Sequence, residues 1–174
     1  RLLLEAGAPI TARTPDSDPL VIVASERMRT LGYSTRLTPE SRLDIARLLL
    51  EFGADPNATC HIDGMHRLTI LHAAAHDGRT EIALVLIDAG ADVTAANELP
   101  ESSGLTPLHF AARQGLTVPA ALLIDRGAAI NALTDEQCRL PGMTPLDLAR
   151  TDAMRTLLTT RGAKPAADLP QPKK

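Results

Sequence analysis

One block returns five times along this chain: a run of aliphatic residues closed by Gly-Ala. It stands at Leu2-Leu3-Leu4 with Gly7-Ala8, at Leu48-Leu49-Leu50 with Gly53-Ala54, and at Leu84-Val85-Leu86 with Gly90-Ala91. It stands again at Leu122-Leu123-Ile124 with Gly127-Ala128 and at Leu157-Leu158 with Gly162-Ala163. The glycines are 46, 37, 37 and 35 residues apart. A second block keeps phase with the first: Thr69-Ile70-Leu71-His72-Ala73-Ala74, Thr106-Pro107-Leu108-His109-Phe110-Ala111-Ala112 and Thr144-Pro145-Leu146-Asp147-Leu148-Ala149, with a degenerate copy from Asp18-Pro19-Leu20 to Ala24. Such a period marks a repeat array, in which each unit has an apolar face that only its neighbour can cover.

Each block has a physical reading. Thr or Asp ahead of Pro starts a helix, because the side-chain oxygen caps free amides and Pro fits the first turn. The Leu and the Ala pair that follow lie on a face that packs closely. The Leu-rich run is a second helix, and Gly supplies the left-handed residue that ends it. The polar stretches after each Gly-Ala, such as Asp55-Pro56-Asn57 and Asp92-Val93-Thr94, predict a turn or an extended hairpin. The unit is therefore helix, turn, helix, hairpin loop. The core must be aliphatic: 44% of residues are hydrophobic but only 2% aromatic, namely Tyr33, Phe52 and Phe110.

Charge excludes one class of partner. The net charge of −3 is spread over both halves, and no basic stripe of the kind that neutralises phosphates is visible, so no nucleic-acid partner is expected. No apolar run approaches the roughly 18 to 20 residues that span a bilayer, and no membrane association is expected. Two cysteines, Cys60 and Cys138, are too few for a disulfide framework. They fall in loops two repeats apart, so both are expected to be free thiols, since a disulfide needs Cα atoms within about 7 Å. A monomeric, cytoplasmic protein is the default expectation.

The Thr-Pro-Leu-His-x-Ala-Ala block with Gly-Ala-Asp closing the second helix resembles an ankyrin repeat over residues 1–164. The resemblance implies an all-α fold, an ankyrin-type helical solenoid of about four to five stacked helix-turn-helix repeats with extended hairpin loops. Residues 1–8 read as a partial repeat lacking its first helix, so the chain is expected to continue upstream or to begin in a disordered part. A repeat at 18–54 follows, with an insertion near residues 27–38, because Asp18 to Gly53 is 35 residues where Thr69 to Gly90 is 21. Repeats at 69–91 and 106–128 are regular, and 144–163 is a C-terminal capping repeat. Residues 165–174, with three prolines and two lysines, are expected to be a disordered tail.

One departure from the family is systematic. A 33-residue repeat leaves about twelve residues between the closing Gly and the next Thr, whereas Gly53 to Thr69, Gly90 to Thr106 and Gly127 to Thr144 are 16, 16 and 17. These three long loops are expected to project side by side.

In ankyrin-like proteins partners dock on hairpin tips and on the concave face of the first helices. Carried over by position, the partner-binding residues are His61, Asp63, Met65, His66 and Arg67 in the first long loop, Glu98 and Glu101 in the second, and Asp135, Glu136 and Arg139 in the third. From the first helices come His76 and Asp77, beside Ala73, and Phe110, Arg113 and Gln114. Phe110 stands out as a bulky ring where the neighbouring repeat has Ala73, either an exposed anchor or a packing residue. Loop drift is the competing reading of the long loops, because insertions in loops cost little.

His72 and His76, four apart on a predicted helix with Cys60, His61, Asp63 and His66 nearby, have a spacing that can hold zinc. His72 also occupies the family's structural position, as His109 does, where the resemblance implies a hydrogen bond to neighbouring loop backbone, and no metal or other cofactor is expected. No catalytic motif is present: Glu98 and Glu101 sit in an exposed loop, and no nucleophile elbow, phosphate loop or His-Glu-x-x-His is found. The function expected is a non-enzymatic protein–protein interaction scaffold or adaptor. The alternative is an ankyrin targeting or regulatory module of a larger enzyme, or of a bacterial effector or toxin-inhibitor protein. Self-association through residues 2–4 or the insertion is a third.

Overall fold

The computed structural model describes residues 18–24, 38–62, 65–97, 104–136 and 139–170, with the side chains of 61, 62, 65 and 66 left out. The partial repeat at 1–8 and most of the 27–38 insertion lie outside these residues. The described chain is mostly helical: α1 (Pro19–Ala24), α2 (Pro39–Glu51), α3 (Ile70–His76), α4 (Thr80–Asp88), α5 (Pro107–Gln114), α6 (Thr117–Asp125), α7 (Pro145–Leu148) and α8 (Asp152–Thr160). Between α2 and α3 runs an antiparallel hairpin of β1 (Thr59–Ile62) and β2 (Met65–Thr69), so the first long loop is a two-stranded ribbon inside an otherwise helical fold. No described helix is long and apolar enough to cross a membrane.

The chain divides into two compact units between Asp92 and Val93. In the first, α1 pairs with α2 and α3 with α4, while α1 lies against α3 and α2 against α4. In the second, α5 pairs with α6 and α7 with α8, while α5 lies against α7 and α6 against α8. The small residues allow this. Ala46, Ala73, Ala74, Ala75 and Ala83 are buried in the first unit and Ala111, Ala112, Ala120 and Ala149 in the second, letting neighbouring backbones approach around Leu71, Leu86, Leu108, Leu123, Met154 and Leu158. Arg42 is a buried charge that the sequence pattern does not announce. It lies on α2, and its Nη1 donates to the last carbonyls of α1, Ile22 and Val23, at 3.5 and 3.4 Å.

The Gly-Ala pair closes each second helix by one hydrogen-bond scheme. Gly53, Gly90, Gly127 and Gly162 have φ of +89°, +96°, +91° and +88°. The following Ala donates its N–H five residues back, Ala54 to Leu49, Ala91 to Leu86, Ala128 to Leu123 and Ala163 to Leu158, each at 2.9 Å. This is the Schellman closure, which satisfies carbonyls that the helix leaves open. It explains both residues of the pair: Gly for the left-handed backbone, and a small apolar Ala because the position is buried in all four copies.

The first helices open on a second scheme. Thr69 and Thr106 donate their backbone N–H to Nδ1 of the residue three on, His72 at 3.1 Å and His109 at 3.0 Å, and their hydroxyls reach the same nitrogen. Nδ1 must then be unprotonated, which places the ring proton on Nε2. In His109 that Nε2–H donates to the Met143 carbonyl in the following connection at 3.2 Å, the role implied by the family resemblance. Thr144 makes the same cap with Asp147 in place of His. Burial pushes the His109 pKa down to about 4 from the usual 6.5, against the opposing effect of the Met143 and Ala132 carbonyls and the Asp147 charge.

The last repeat is shorter in its first helix. Thr144 to Gly162 is 18 residues where Thr106 to Gly127 is 21, and α7 has 4 residues where α5 has 8. Ala149 turns extended, and Thr151 caps α8 by accepting the Met154 N–H at 3.2 Å. Beyond α8 the structure departs from the expected disordered tail. A 3₁₀ turn forms at Ala166–Asp168, and the Ala166 N–H is tied to Asp147 at 3.0 Å. The prolines that suggested disorder pre-set this backbone, Pro165 standing at φ −65°.

Two expectations follow. A methyl group at Gly90 would meet nothing within 4 Å, so Gly90→Ala should lose only the left-handed strain, about 1 kcal/mol. At Gly104, φ +83°, it would sit 2.7 Å from the Asp135 nitrogen, so Gly104→Ala should lose at least roughly twice as much in urea unfolding. Equal losses would show that the backbone yields there. For pH, the depressed pKa of His109 means that the unfolded chain binds the proton first. Its contribution is fully present above about pH 6.5 and is lost as pH falls towards 4, with a total on the order of 3 kcal/mol. His109→Gln should flatten that part of the stability curve relative to the parent, and parallel curves would contradict the burial argument.

Candidate partner-binding surface

Each long loop has a fixed foot. Seven residues after each closing Gly stand Cys60, Asn97 and Thr134, three different residue types, all buried. Each pairs with the residue just ahead of the next Thr cap. Cys60 is opposite Leu68 in the β1–β2 register, and its thiol hydrogen points to the Thr69 carbonyl at 3.9 Å. Asn97 donates its N–H to Leu105 O at 3.1 Å and accepts the Leu105 N–H on Oδ1 at 2.8 Å. Thr134 donates to Met143 O at 3.0 Å, accepts the Met143 N–H on Oγ1 at 2.8 Å, and turns its hydroxyl hydrogen to Leu140 O. A buried small polar side chain thus stands at the foot of every long loop, and at two of them, Asn97 and Thr134, it accepts the opposing N–H. The sequence reading missed this trio because it compares residue types; the constant offset from Gly was the signal.

Within the second unit the feet of two loops touch. Gly104 closes the loop over residues 98–104, and only glycine leaves room for the Thr134–Asp135 backbone beside it. Asn131, four residues after Gly127, ties this row to the next turn by accepting the Lys164 N–H at 2.7 Å. In the first unit Asn57, four after Gly53, does the same for Asp92 at 2.8 Å.

The predicted contact residues fall into separate groups. Arg67 is exposed, and its φ of +56° makes it the one non-glycine residue with positive φ among the described residues. It sits beside the irregularity where the register jumps from Cys60–Leu68 to Ile62–Met65. Asp135, Glu136 and Arg139 are exposed on the third loop, and Gln114 is exposed with Arg113 half-buried at the end of α5. His61, Met65 and His66 lie on β1 and β2, with side chains outside the described part, and Asp63, Glu98, Glu101 and Cys138 are outside the described residues altogether.

Four residues carried over as exposed first-helix positions are covered. Phe110 is only 2% exposed and Ala73 is fully buried. The reason is general: every residue of α3 from Ile70 to Ala75 and of α5 from Pro107 to Ala112 is buried, so these helices have no free face before their last turn. His76 and Asp77 are mostly covered and bond one another, Nδ1 to Oδ1 at 2.8 Å, with side chains 10% and 6% exposed. His72 spends its Nδ1 on the Thr69 cap. No group of three or more potential metal ligands comes together among the described residues. Cys60 is buried.

A family model described as ankyrin repeats in three copies matches residues 31–134 and 71–168. No curated protein matches the chain. The two matches together span most of the sequence and take in both the Thr-Pro-Leu-His caps and the Gly-Ala closures, and the chain belongs to the ankyrin repeat family, whose members are generally protein–protein interaction modules.

Proposed function

We propose that the chain is a non-catalytic scaffold or adaptor, its repeats stacked as one solenoid of four to five units, that holds a partner protein against its long loops. The observation that carries this reading is the fastening of the loops. Three loops with feet pinned at one offset, by Cys60, Asn97 and Thr134, present their tips on a base that need not be ordered on binding. A surface already ordered keeps the entropic cost of association low. The contact residues are Arg67, Asp135, Glu136 and Arg139 on the loops, with Arg113 and Gln114 at the end of α5. Their charges are mixed in sign, which suits a protein surface of interleaved charge better than the uniform field of a nucleic acid. Phe110 and Ala73 are each taken up by packing within their own units, so the loops and the last turn of α5 supply the recognition. The protein acts as a monomer in the cytoplasm, without a cofactor.

Arg67 sharpens the reading. A non-glycine residue in left-handed backbone carries about 1 kcal/mol or more of strain, and such strain gathers at sites of function.

The test is affinity capture with mass spectrometry, followed by direct binding of the captured protein. Reversing Asp135, Glu136 and Arg139 together should weaken binding by tenfold or more, about 1.4 kcal/mol, with helical circular dichroism unchanged. Binding that survives the reversal would remove the third loop from the interface. Arg67→Gly should leave stability level or raise it by up to about 1 kcal/mol while still lowering affinity, because the gain in backbone ease is partly offset by glycine's entropy. A variant that is both more stable and binds fully would show that Arg67 plays no part.

A further inference from the structure

Two first helices of the second unit use the same position differently. On α5, His109 gives one ring nitrogen to its own cap and donates from the other to Met143 O, in the connection that follows its repeat. On α7 that position holds Asp147. Its Oδ2 serves the cap in the same way, accepting the Thr144 N–H at 2.9 Å and the hydroxyl at 2.8 Å. An ionised carboxylate has no hydrogen to give, and what comes back to it is a donor: the Ala166 N–H at 3.0 Å.

The segment that brings this donor starts along the ordinary path. Lys164 stands two residues after Gly162, as Asp92 stands two after Gly90. Lys164 N–H donates to Asn131 at 2.7 Å as Asp92 N–H donates to Asn57 at 2.8 Å. The paths part after Lys164. Where the earlier connections run on to a pinned loop and a new Thr cap, Pro165 leads into the turn at Ala166–Asp168, closed by Asp168 N–H to Pro165 O at 3.0 Å.

We propose that Asp147 is a direction-setting residue and that residues 164–169 are a strap held by it. With His at this position, the segment after the repeat must bring a carbonyl, and it runs out into a hairpin loop. With Asp it must bring an N–H, and it folds back against the start of α7. The strap is tied at two points, Asn131 and Asp147, neither in the apolar core, so it can open while the helices stay packed.

Amide hydrogen exchange on the full chain at neutral pH tests this. Asp147→His keeps the Thr144 cap through Nδ1 but sets an Nε2–H against the Ala166 N–H. Exchange at Ala166 should rise tenfold or more, while Leu148, bonded to Thr144 O within the helix, should change less than twofold. Asp147→Asn keeps an acceptor and should hold the strap, with less than a threefold change at Ala166. Ala166 exchanging equally in the parent and in Asp147→His, or at the rate of a free peptide in the parent, would overturn the proposal. Should Asp147→His fail to fold, Ala166→Pro reads the same contact by removing the donor without altering the repeat. It should raise exchange at Leu169 tenfold, and an unchanged rate there would also overturn the proposal.

Discussion

A helix of seven or eight residues does not stand alone in water. Isolated helices shorter than roughly twelve to fifteen residues are marginal, because nucleation fixes several residues for one hydrogen bond. Here α3 has 7 residues and α5 has 8. Their existence therefore rests on neighbours that bury them and on side chains that satisfy their ends. The side-chain cap, Thr to His in the repeats of α3 and α5, and the Gly-Ala closure meet the second need at opposite ends of the repeat, and the alanine-lined contacts meet the first. His109 joins the two needs. It closes the start of one helix and at the same time reaches the connection leading to the next repeat. Such a ring is useful only while neutral, since a protonated imidazole cannot accept the Thr106 N–H.

Most of the helical framework was legible because the residues that make it act locally. Gly-Ala announces a Schellman closure wherever it ends an aliphatic run, and Thr-Pro announces a capped first turn. Even the shortening of α7 could be read beforehand, as 18 residues between landmarks that elsewhere stand 21 apart. What stayed hidden depended on partners distant in sequence. Arg42 is polar by type, yet it is buried because carbonyls twenty residues back need a donor. Residues 165–170 have the composition of a tail, yet acceptors far back in sequence, Asn131 and Asp147, hold the segment that contains them.

Loop length sets the three loops apart in the sequence, while the exposure of the residues assigned to a partner surface was less legible. Of the two readings of Phe110 the packing one holds, because every residue of α5 from Pro107 to Ala112 is buried and nothing is free until the final turn. The His76–Asp77 pair is covered in a related way: two polar side chains that look available in sequence satisfy each other. The loop feet at Cys60, Asn97 and Thr134 were invisible to a search by residue type, since a thiol, an amide and a hydroxyl do one job.

Those feet also insulate the fold from change. Cys60 and Leu68, and Asn97 and Leu105, are eight residues apart, and Thr134 and Met143 are nine, yet all three junctions close and the helix beyond each begins in the same way. An extra residue above the fastening is taken up there and shifts nothing below it. Mutation can therefore explore new lengths and charges at the tips without testing the integrity of the stack. The tips can change in length and charge far more readily than the helices beneath them can change their packing.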